Sequence, residues 1–335
     1  MGPEPPSPPP PVPLAPGLAA LARAPRLSWW RALLLVFDFL GLLVVLAHVG
    51  REGLALALRA LPDAAAVRPI VEAADLTSGV TVVAMAGYVL VVVVVVLAFE
   101  RAGGPSFRAM GLRREGTWRR ETLLGLALGP LLFASILGLE LAAGWARLAD
   151  GSLDPLGALY GTLTFVGVAF VEEVIFRGFL LQVISRASTP LIGILLSALA
   201  FGAGHAANPA ASPAAVLALA GAGLVFVWAY LATGRLWLPM ALHLSWNLCE
   251  GPLYGFPVSG FDGEKAIAVS STGPAWATGG PFGPEAGLVG VLACVAAAAL
   301  IYLWRRAAGS VGATATMAVG AALALAWLAA LALAH

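Results

Sequence analysis

The feature that most constrains this chain is a series of apolar runs, each long enough to cross a lipid bilayer as a single helix. Crossing ~30 Å of hydrocarbon takes about 20 consecutive apolar residues. Such runs lie at residues 29–49, 80–99, 123–145, 156–176, 191–206, 214–231, 236–248, 287–303 and 313–334. The run at 236–248 is short and the run at 191–206 is marginal. Because backbone groups must be hydrogen-bonded within lipid, we predict an all-α, polytopic transmembrane helical bundle of eight or nine spans.

The composition supports lipid as the main solvent. Hydrophobic residues make up 60% of the chain and charged residues 11%, whereas a soluble domain carries about 25% charged residues. The formal net charge is +1 and no long basic stripe is present, so we expect no nucleic-acid partner. Lys265 is the single lysine, while Ala, Gly, Arg and Pro are abundant. This usage is typical of GC-rich bacterial genomes, and we expect a bacterial inner membrane.

The chain divides by composition into a tail and one bundle. Residues 1–27 begin with a proline-rich tract that cannot form a packed core, and we predict a disordered tail. Residues 28–335 are predicted to form a single transmembrane bundle, with a catalytic core at about 156–250. The Gly/Pro/Ser-rich segment 251–286 allows no assignment of structure.

The distribution of arginines predicts the orientation. Counted from a cytoplasmic N-terminus, the inner connections hold most of the arginines, namely Arg101, Arg108, Arg113, Arg114, Arg119, Arg120, Arg186, Arg235, Arg305 and Arg306. The later outer segments hold acidic residues instead, namely Asp150, Asp154, Asp262, Glu264 and Glu285. Because cytoplasmic loops are enriched in Arg and Lys, we expect a cytoplasmic N-terminus.

Two adjacent acids follow the fourth apolar run. Ionisable side chains within a span are costly and usually mark a functional site. Glu173 and Arg177 are four residues apart, so they meet on one helix face and form a pair. Glu172 points about 100° away on a helix and has no such local cation. We therefore predict a structural role for Glu173 and a general-base role for Glu172. Alternatively, the span ends at Phe176 and all three charged residues lie at the membrane interface.

Two further polar groups lie in later apolar runs. His205 ends the sequence Phe201-Gly-Ala-Gly-His205. His243 and Asn247 are separated by four residues, so they share a helix face and could both donate to an oxyanion. Each residue taken singly is more often a packing residue. Together with Glu172, however, they make a complete set for water-mediated acyl hydrolysis.

Four other polar residues have no such companions in the sequence. They lie near the ends of apolar runs, and we interpret them as interfacial: Asp38, His48, Glu140 and His335.

The three motifs occur in a recognisable order. Glu-Glu-x-x-x-Arg, Phe-x-x-x-His and His-x-x-x-Asn, each in a hydrophobic segment between 172 and 247, resemble the CPBP family of intramembrane glutamic endopeptidases. That family is also called the CAAX-protease or ABI family, and it is related to the enzyme that removes the last three residues of prenylated proteins. The resemblance implies a hydrolase acting on a membrane-associated protein or peptide.

The resemblance also implies residue roles. Glu172 would activate the attacking water and His205 would hold or deprotonate that water, while His243 and Asn247 would stabilise the tetrahedral oxyanion. Glu173 and Arg177 would shape the site. Phe201 matches the aromatic position of the second motif, where it would pack.

Other functions remain open from the residues alone. One is a non-catalytic immunity or scaffold protein, in which the polar cluster holds helices together. Another is a transporter with a buried proton relay, although no inverted repeat with paired broken helices is evident. A third is a zinc peptidase with Glu172, His205 and His243 as ligands. The His-Glu-x-x-His signature of many zinc peptidases is absent, so we expect no metal or other cofactor.

Overall fold

The computed structural model describes residues 15–59, 79–101, 104–149, 155–263 and 265–307. Within these ranges the chain is almost wholly helical, which confirms the predicted helical membrane bundle. Its first seven helices before residue 188 are α1 Pro16–Arg23, α2 Trp29–Arg59, α3 Gly79–Arg101, α4 Phe107–Met110, α5 Trp118–Ala142, α6 Pro155–Glu173 and α7 Leu181–Ala187. The remaining α-helices are α8 Pro190–Gly204, α9 Pro213–Thr233, α10 Trp237–Leu248, α11 Ala275–Thr278 and α12 Leu288–Arg306.

Five of these helices are long and apolar enough to span a membrane, namely α2, α3, α5, α9 and α12. The shorter helix α8 is also apolar. Eight of the nine predicted runs coincide with helices in the described residues, and the ninth, at 313–334, lies outside them. Large apolar side chains face outward along the bundle; the exposed fraction is 76% for Phe37 and 63% for Leu191. Such surfaces require lipid as solvent, and the protein is an integral membrane protein.

Part of the predicted disordered tail at 1–27 is helical in the described residues. Residues 1–14 lie outside the description, but Pro16–Arg23 forms helix α1. This helix packs on α9, where Gly17 lies so close that a Cβ atom would come within 2.7 Å of the Leu231 backbone. Its buried Leu21 supplies apolar contact that the proline-rich composition of the tail did not indicate.

A helical hairpin brings the first two motifs together. The chain continues past Glu173 through a π-helical segment, Val174–Leu180, into α7, and α8 returns from Pro190. Thr189 caps α8 by accepting a hydrogen bond from the Ile192 N–H, and proline suits the first turn because it needs no donor there. The span therefore does not end at Phe176, and Glu172 lies far from the turn of the hairpin.

The third motif is positioned by close packing of α5 on α10. A Cβ atom at Gly129 would lie 2.4 Å from the backbone of Ser245, and one at Gly125 would lie 2.6 Å from the Leu242 nitrogen. Ser245 Oγ also donates a hydrogen bond of 2.7 Å to the Gly125 carbonyl. Because the helices touch at backbone distance, the side chains of α10 on the opposite face are held at a defined height.

The segment 251–286, left without an assignment from the sequence, is folded in its described residues. It begins with a π-helical turn, Cys249–Leu253, and contains a strand, β2 Ala268–Ser271, which pairs antiparallel with β1 Ala146–Ala149. Arg147 lies opposite Ser270 in this register. Two 3₁₀ turns, Gly280–Phe282 and Pro284–Ala286, complete it. This small sheet is the only departure from the all-α prediction in the described residues.

Glu140 was expected to lie at the membrane interface, and this prediction is wrong. It lies near the end of α5 and is fully buried, and Ser271 Oγ donates a 3.5 Å hydrogen bond to its carboxylate. The β1–β2 sheet covers it, and this cover is invisible in the sequence because β2 lies 128 residues later in the chain. Asp38 and His48 are exposed on α2, and His335 lies outside the described residues.

Candidate active site

The Glu173–Arg177 pair lies at the centre of the site and is confirmed. Arg177 Nη1 donates to Glu173 Oε1 at 2.9 Å, and both side chains are fully buried. Arg177 Nη2 donates to the Gly223 carbonyl of α9 at 3.1 Å. The guanidinium lies 4.4 Å from the Phe201 ring centroid and 5.0 Å from that of Phe226. The pair therefore fixes α6, the π-helix and α9 relative to one another.

The π-helical segment begins directly after Glu173. π-turns are rare and occur frequently at functional sites. Here the wider turn lies between the acid pair and α7. Side chains after the π-helix therefore point in a different direction, relative to Glu172 and Glu173, than they would on a continuous α-helix. The sequence, read with a regular 3.6-residue period, did not predict this change.

His243 is held by the same carboxylate as Arg177. Its Nδ1 atom lies 3.0 Å from Glu173 Oε1, and the imidazole stacks on Phe226 with the ring centroids 4.7 Å apart. Because a carboxylate only accepts hydrogen bonds, this contact assigns a proton to Nδ1 of His243. The Nε2 atom is then turned toward the other acid, Glu172.

His205 is oriented in the same manner from a different helix. It caps the C-terminal end of α8, and its Nδ1 atom lies 2.8 Å from the Phe201 carbonyl oxygen. Nδ1 is therefore the donor, which leaves the lone pair of Nε2 free in the neutral ring. Phe201 supports this arrangement, since its ring lies 5.0 Å from the His205 ring. Phe201 packs as expected from the motif.

Glu172 lies between the two histidines. Its Oε2 atom is 3.9 Å from His205 Nε2 and 3.9 Å from His243 Nε2. These distances exceed a hydrogen bond, and the buried Oε2 atom has no direct partner among the described residues. The Glu172 side chain is 23% exposed, against 0% for Glu173. The Glu172 carboxylate thus faces the Nε2 atoms of both histidines.

A cavity of about 780 Å³ contains this cluster. Glu172, His205, His243 and Asn247 all line it, so the structure brings the four residues of the predicted catalytic set together. Its remaining walls are mostly apolar and extend to α2, where Leu40 and Val44 contribute. Val44 is 68% exposed on the outer face of the bundle, so the cavity reaches the lipid-facing side of α2.

The structure adds residues that the sequence motifs do not contain. Phe226 of α9 packs on both Arg177 and His243. Asn208 lines the cavity from the connection between α8 and α9, and Ser259 and Glu285 line it from the segment 251–286. Glu285 had been interpreted as one of several outer acids, but it is 7% exposed. The sequence around a carboxyl residue just before an apolar run does not show whether the side chain is buried or interfacial. The burial of Glu285 is therefore evident only from the fold.

A metal site was the alternative interpretation of this cluster. Among the described residues, no group of three or more His, Cys, Asp and Glu side chains is arranged to hold a metal ion. The Nε2 atoms of both histidines are nevertheless directed toward Glu172, so metal dependence has to be measured.

Comparison with known proteins agrees with the motifs. Residues 154–249, somewhat less than one third of the chain, match the family described as type II CAAX prenyl endopeptidase Rce1-like. No curated protein and no solved structure matches the chain. The matched segment contains the hairpin, α9 and α10, which are the elements that carry the site. The resemblance drawn from the three motifs is therefore confirmed, since residues 154–249 are similar to the Rce1-like family of type II CAAX prenyl endopeptidases.

Proposed function

We propose that this protein is an intramembrane peptidase that hydrolyses a peptide bond of a membrane-associated protein or peptide, with Glu172 as general base. The observation that carries the proposal is the position of Glu172 Oε2, 3.9 Å from Nε2 of both His205 and His243. A water molecule that hydrogen-bonds to the carboxylate would also reach an imidazole nitrogen. The family match supports the reaction class.

The first step is attack of this water on the scissile carbonyl carbon. Glu172 takes one proton of the water while the oxygen forms the new C–O bond, and the carbonyl electrons move to its oxygen. His205 orients the water through the Nε2 lone pair, since its Nδ1 proton is held by the Phe201 carbonyl. Without this hydrogen bond, the ring could present either nitrogen to the water.

We assign the stabilisation of the resulting oxyanion to Asn247 and His243, which both line the cavity. The Asn247 amide donates without any change of protonation. His243 uses its Nδ1 proton in the hydrogen bond to Glu173. Its Nε2 atom can therefore donate a hydrogen bond only when the ring carries protons on both nitrogens. This differs from the expectation of two neutral donors. Glu173 balances the charge of such an imidazolium, as the orienting carboxylate of a catalytic triad does.

Collapse of the intermediate completes the reaction. The C–N bond breaks with its electrons moving to nitrogen, and protonated Glu172 transfers the proton it took from water to the departing amine. This gives a carboxylic acid, which keeps the second proton of the water, and a neutral amine. At neutral pH the acid loses this proton and the amine takes one up, so the final products are a carboxylate and a protonated amine. No step requires a redox partner.

We propose that the reaction needs no metal or other cofactor. A glutamate and an activated water suffice for the steps above, and the described residues contain no arranged ligand group. We further propose a bacterial inner-membrane location with a cytoplasmic N-terminus, and no nucleic-acid partner. The arginine distribution supports the orientation.

The decisive experiment compares Glu172→Gln with the native protein in liposomes, using membrane-fraction peptides as substrates and mass spectrometry of new C-termini as readout. Glutamine preserves shape but removes the basic site, so cleavage should fall about 100-fold or more. Glu115→Gln, on an exposed side chain far from the cavity, is the matched control and should cleave normally. Near-normal cleavage by Glu172→Gln would overturn the assignment of Glu172 as the base, whereas no cleavage by the native protein would favour a non-catalytic immunity or scaffold role.

A further inference from the structure

Two carboxyl groups outside the family motifs interact at the cavity wall. Glu250 follows α10 and is fully buried, while Glu285 comes from the outer segment and is 7% exposed. Trp246 Nε1 donates to Glu250 Oε2 at 3.1 Å, and the backbone N–H of Glu285 also donates to the Glu250 carboxyl. Glu250 therefore anchors the backbone of Glu285, and the Glu285 side chain forms part of the cavity lining.

Glu285 is held in place by a second set of contacts. Ser259 Oγ donates to Glu285 Oε1 at 2.5 Å, and the Ser259 backbone supplies a further hydrogen bond. Ser259 has a φ of +49°, a left-handed conformation that a serine rarely adopts. Its carbonyl accepts from Asn208 Nδ2 at 3.1 Å, three residues after His205. The Glu285 carboxyl is thus connected to the segment that carries a catalytic histidine.

The two acids differ in how well their surroundings stabilise a charge. Burial raises the pKa of both carboxyls, and the pKa of Glu250 well above its usual range. The Glu285 carboxylate is stabilised by Ser259 and by attraction to His205 and His243, which opposes the effect of burial on its pKa. The two hydrogen bonds from Ser259 favour the charged form of the Glu285 carboxyl, and this carboxyl presents acceptor oxygens at the cavity wall.

The charges along the cavity favour some substrates over others. In the part of the chain that the structure describes, the lining includes the carboxyls of Glu172 and Glu285 and contains no lysine or arginine. Arg177 lies behind the wall, paired with Glu173. A substrate carboxylate would therefore meet like charge in a partly desolvated space, where repulsion is strong. An N–H donor or a cationic side chain would find acceptors.

We propose that Glu285 is a specificity-determining residue that selects substrates with a neutral or basic residue next to the cleaved bond and disfavours a carboxylate there, including a free C-terminal carboxylate. The proposal rests on the peptidase function proposed above. It implies cleavage at interior bonds of membrane peptides, with the residue that follows the cleaved bond contacting the wall formed by Asn208, Ser259 and Glu285. Such selection works partly through repulsion of the wrong substrate.

The test uses a membrane peptide that the native protein cleaves, in versions with Lys, Gln or Glu directly after the cleaved bond. Each version is made with an amidated and with a free C-terminus. We expect native protein to cleave the Lys peptide about 10-fold faster than the Glu peptide. Glu285→Gln should reduce this ratio to near one, and Glu285→Asp should retain most of it. Asp262→Asn, an acid of the same segment that is 78% exposed, should leave the ratio unchanged.

Binding measurements separate this proposal from the peptidase function. Fluorescently labelled versions of the peptides are titrated into Glu172→Gln and into Glu172→Gln combined with Glu285→Gln, with anisotropy as readout. Tighter binding of the Lys peptide by about 10-fold, lost in the double variant, supports the role of Glu285 whether or not cleavage occurs. Equal binding of the Lys and Glu peptides to Glu172→Gln overturns it, even if the native protein is an active peptidase.

Discussion

His243 Nδ1 lies 3.0 Å from Glu173 Oε1, and this contact joins the first sequence motif to the third across two helices. The same oxygen accepts from Arg177 Nη1, so a single buried carboxylate oxygen holds both the arginine and the imidazole. Glu173 therefore does more than compensate the charge of Arg177. It determines which nitrogen of His243 is presented to Glu172.

Replacement of Glu173 by glutamine tests this orienting role. The amide could present its NH₂ group to Nδ1, which favours the other tautomer of His243 and removes the charge that balances an imidazolium. We expect cleavage to fall by about 100-fold or more. Peptide binding, measured by anisotropy in the same preparation, should change less than threefold. A parallel loss of binding and cleavage would instead indicate a general disruption of the cavity.

Arg177 is predicted to matter for folding more than for chemistry. Arg177→Ala leaves the Glu173 carboxylate buried without its cation and removes the guanidinium between Phe201 and Phe226. Removing one member of a buried pair costs about 3–5 kcal/mol. We expect a clear drop in the melting temperature in detergent, beyond that of Glu172→Gln.

Arg108→Ala provides the comparison for this variant. Arg108 pairs with Glu115, and both side chains are more than half exposed. Exposed ion pairs contribute little to the free energy of unfolding, so we expect no measurable shift in the melting temperature of Arg108→Ala. Equal melting temperatures for Arg177→Ala and Arg108→Ala would contradict the importance of burial at Arg177.

The packing of the segment 251–286 against the site can be tested at Gly260. This residue has a φ of +86°, and a Cβ atom there would lie 1.9 Å from the Pro209 carbonyl oxygen. Gly260→Ala must therefore displace the segment from residues next to His205, and we expect a substantial loss of cleavage. Gly144→Ala shares the unfavourable φ, at +70°, but its Cβ meets no atom within 4 Å. Gly144→Ala should retain activity, because it introduces the same backbone strain as Gly260→Ala but no clash with another segment.

Metal removal tests the proposed chemistry. Protein treated with a strong chelator, then assayed in metal-free buffer, should keep its full rate of cleavage, since Glu172 activates water without a metal in the proposed mechanism. Readdition of zinc should not raise this rate. Loss of activity that zinc alone restores would favour the alternative in which Glu172, His205 and His243 are ligands.

The sequence alone was sufficient for the membrane helices and for the identity of the motif residues. Long apolar runs permit few structures in lipid, because the backbone must bond to itself. The spacing of Glu173 and Arg177 predicted their contact, since residues four apart on a helix meet.

Contacts between distant segments were decided by the tertiary structure. The hydrogen bond from His243 to Glu173 spans 70 residues, and the one that fixes Glu285 to Ser259 depends on the path of a Gly/Pro-rich segment without periodicity. The π-helix after Glu173 had no sequence signal either. Local spacing determines which side chains share a face, but which faces meet depends on how closely helices such as α5 and α10 pack. That packing is a property of the whole bundle, so Phe226 and Glu285 became part of the site only in the folded protein.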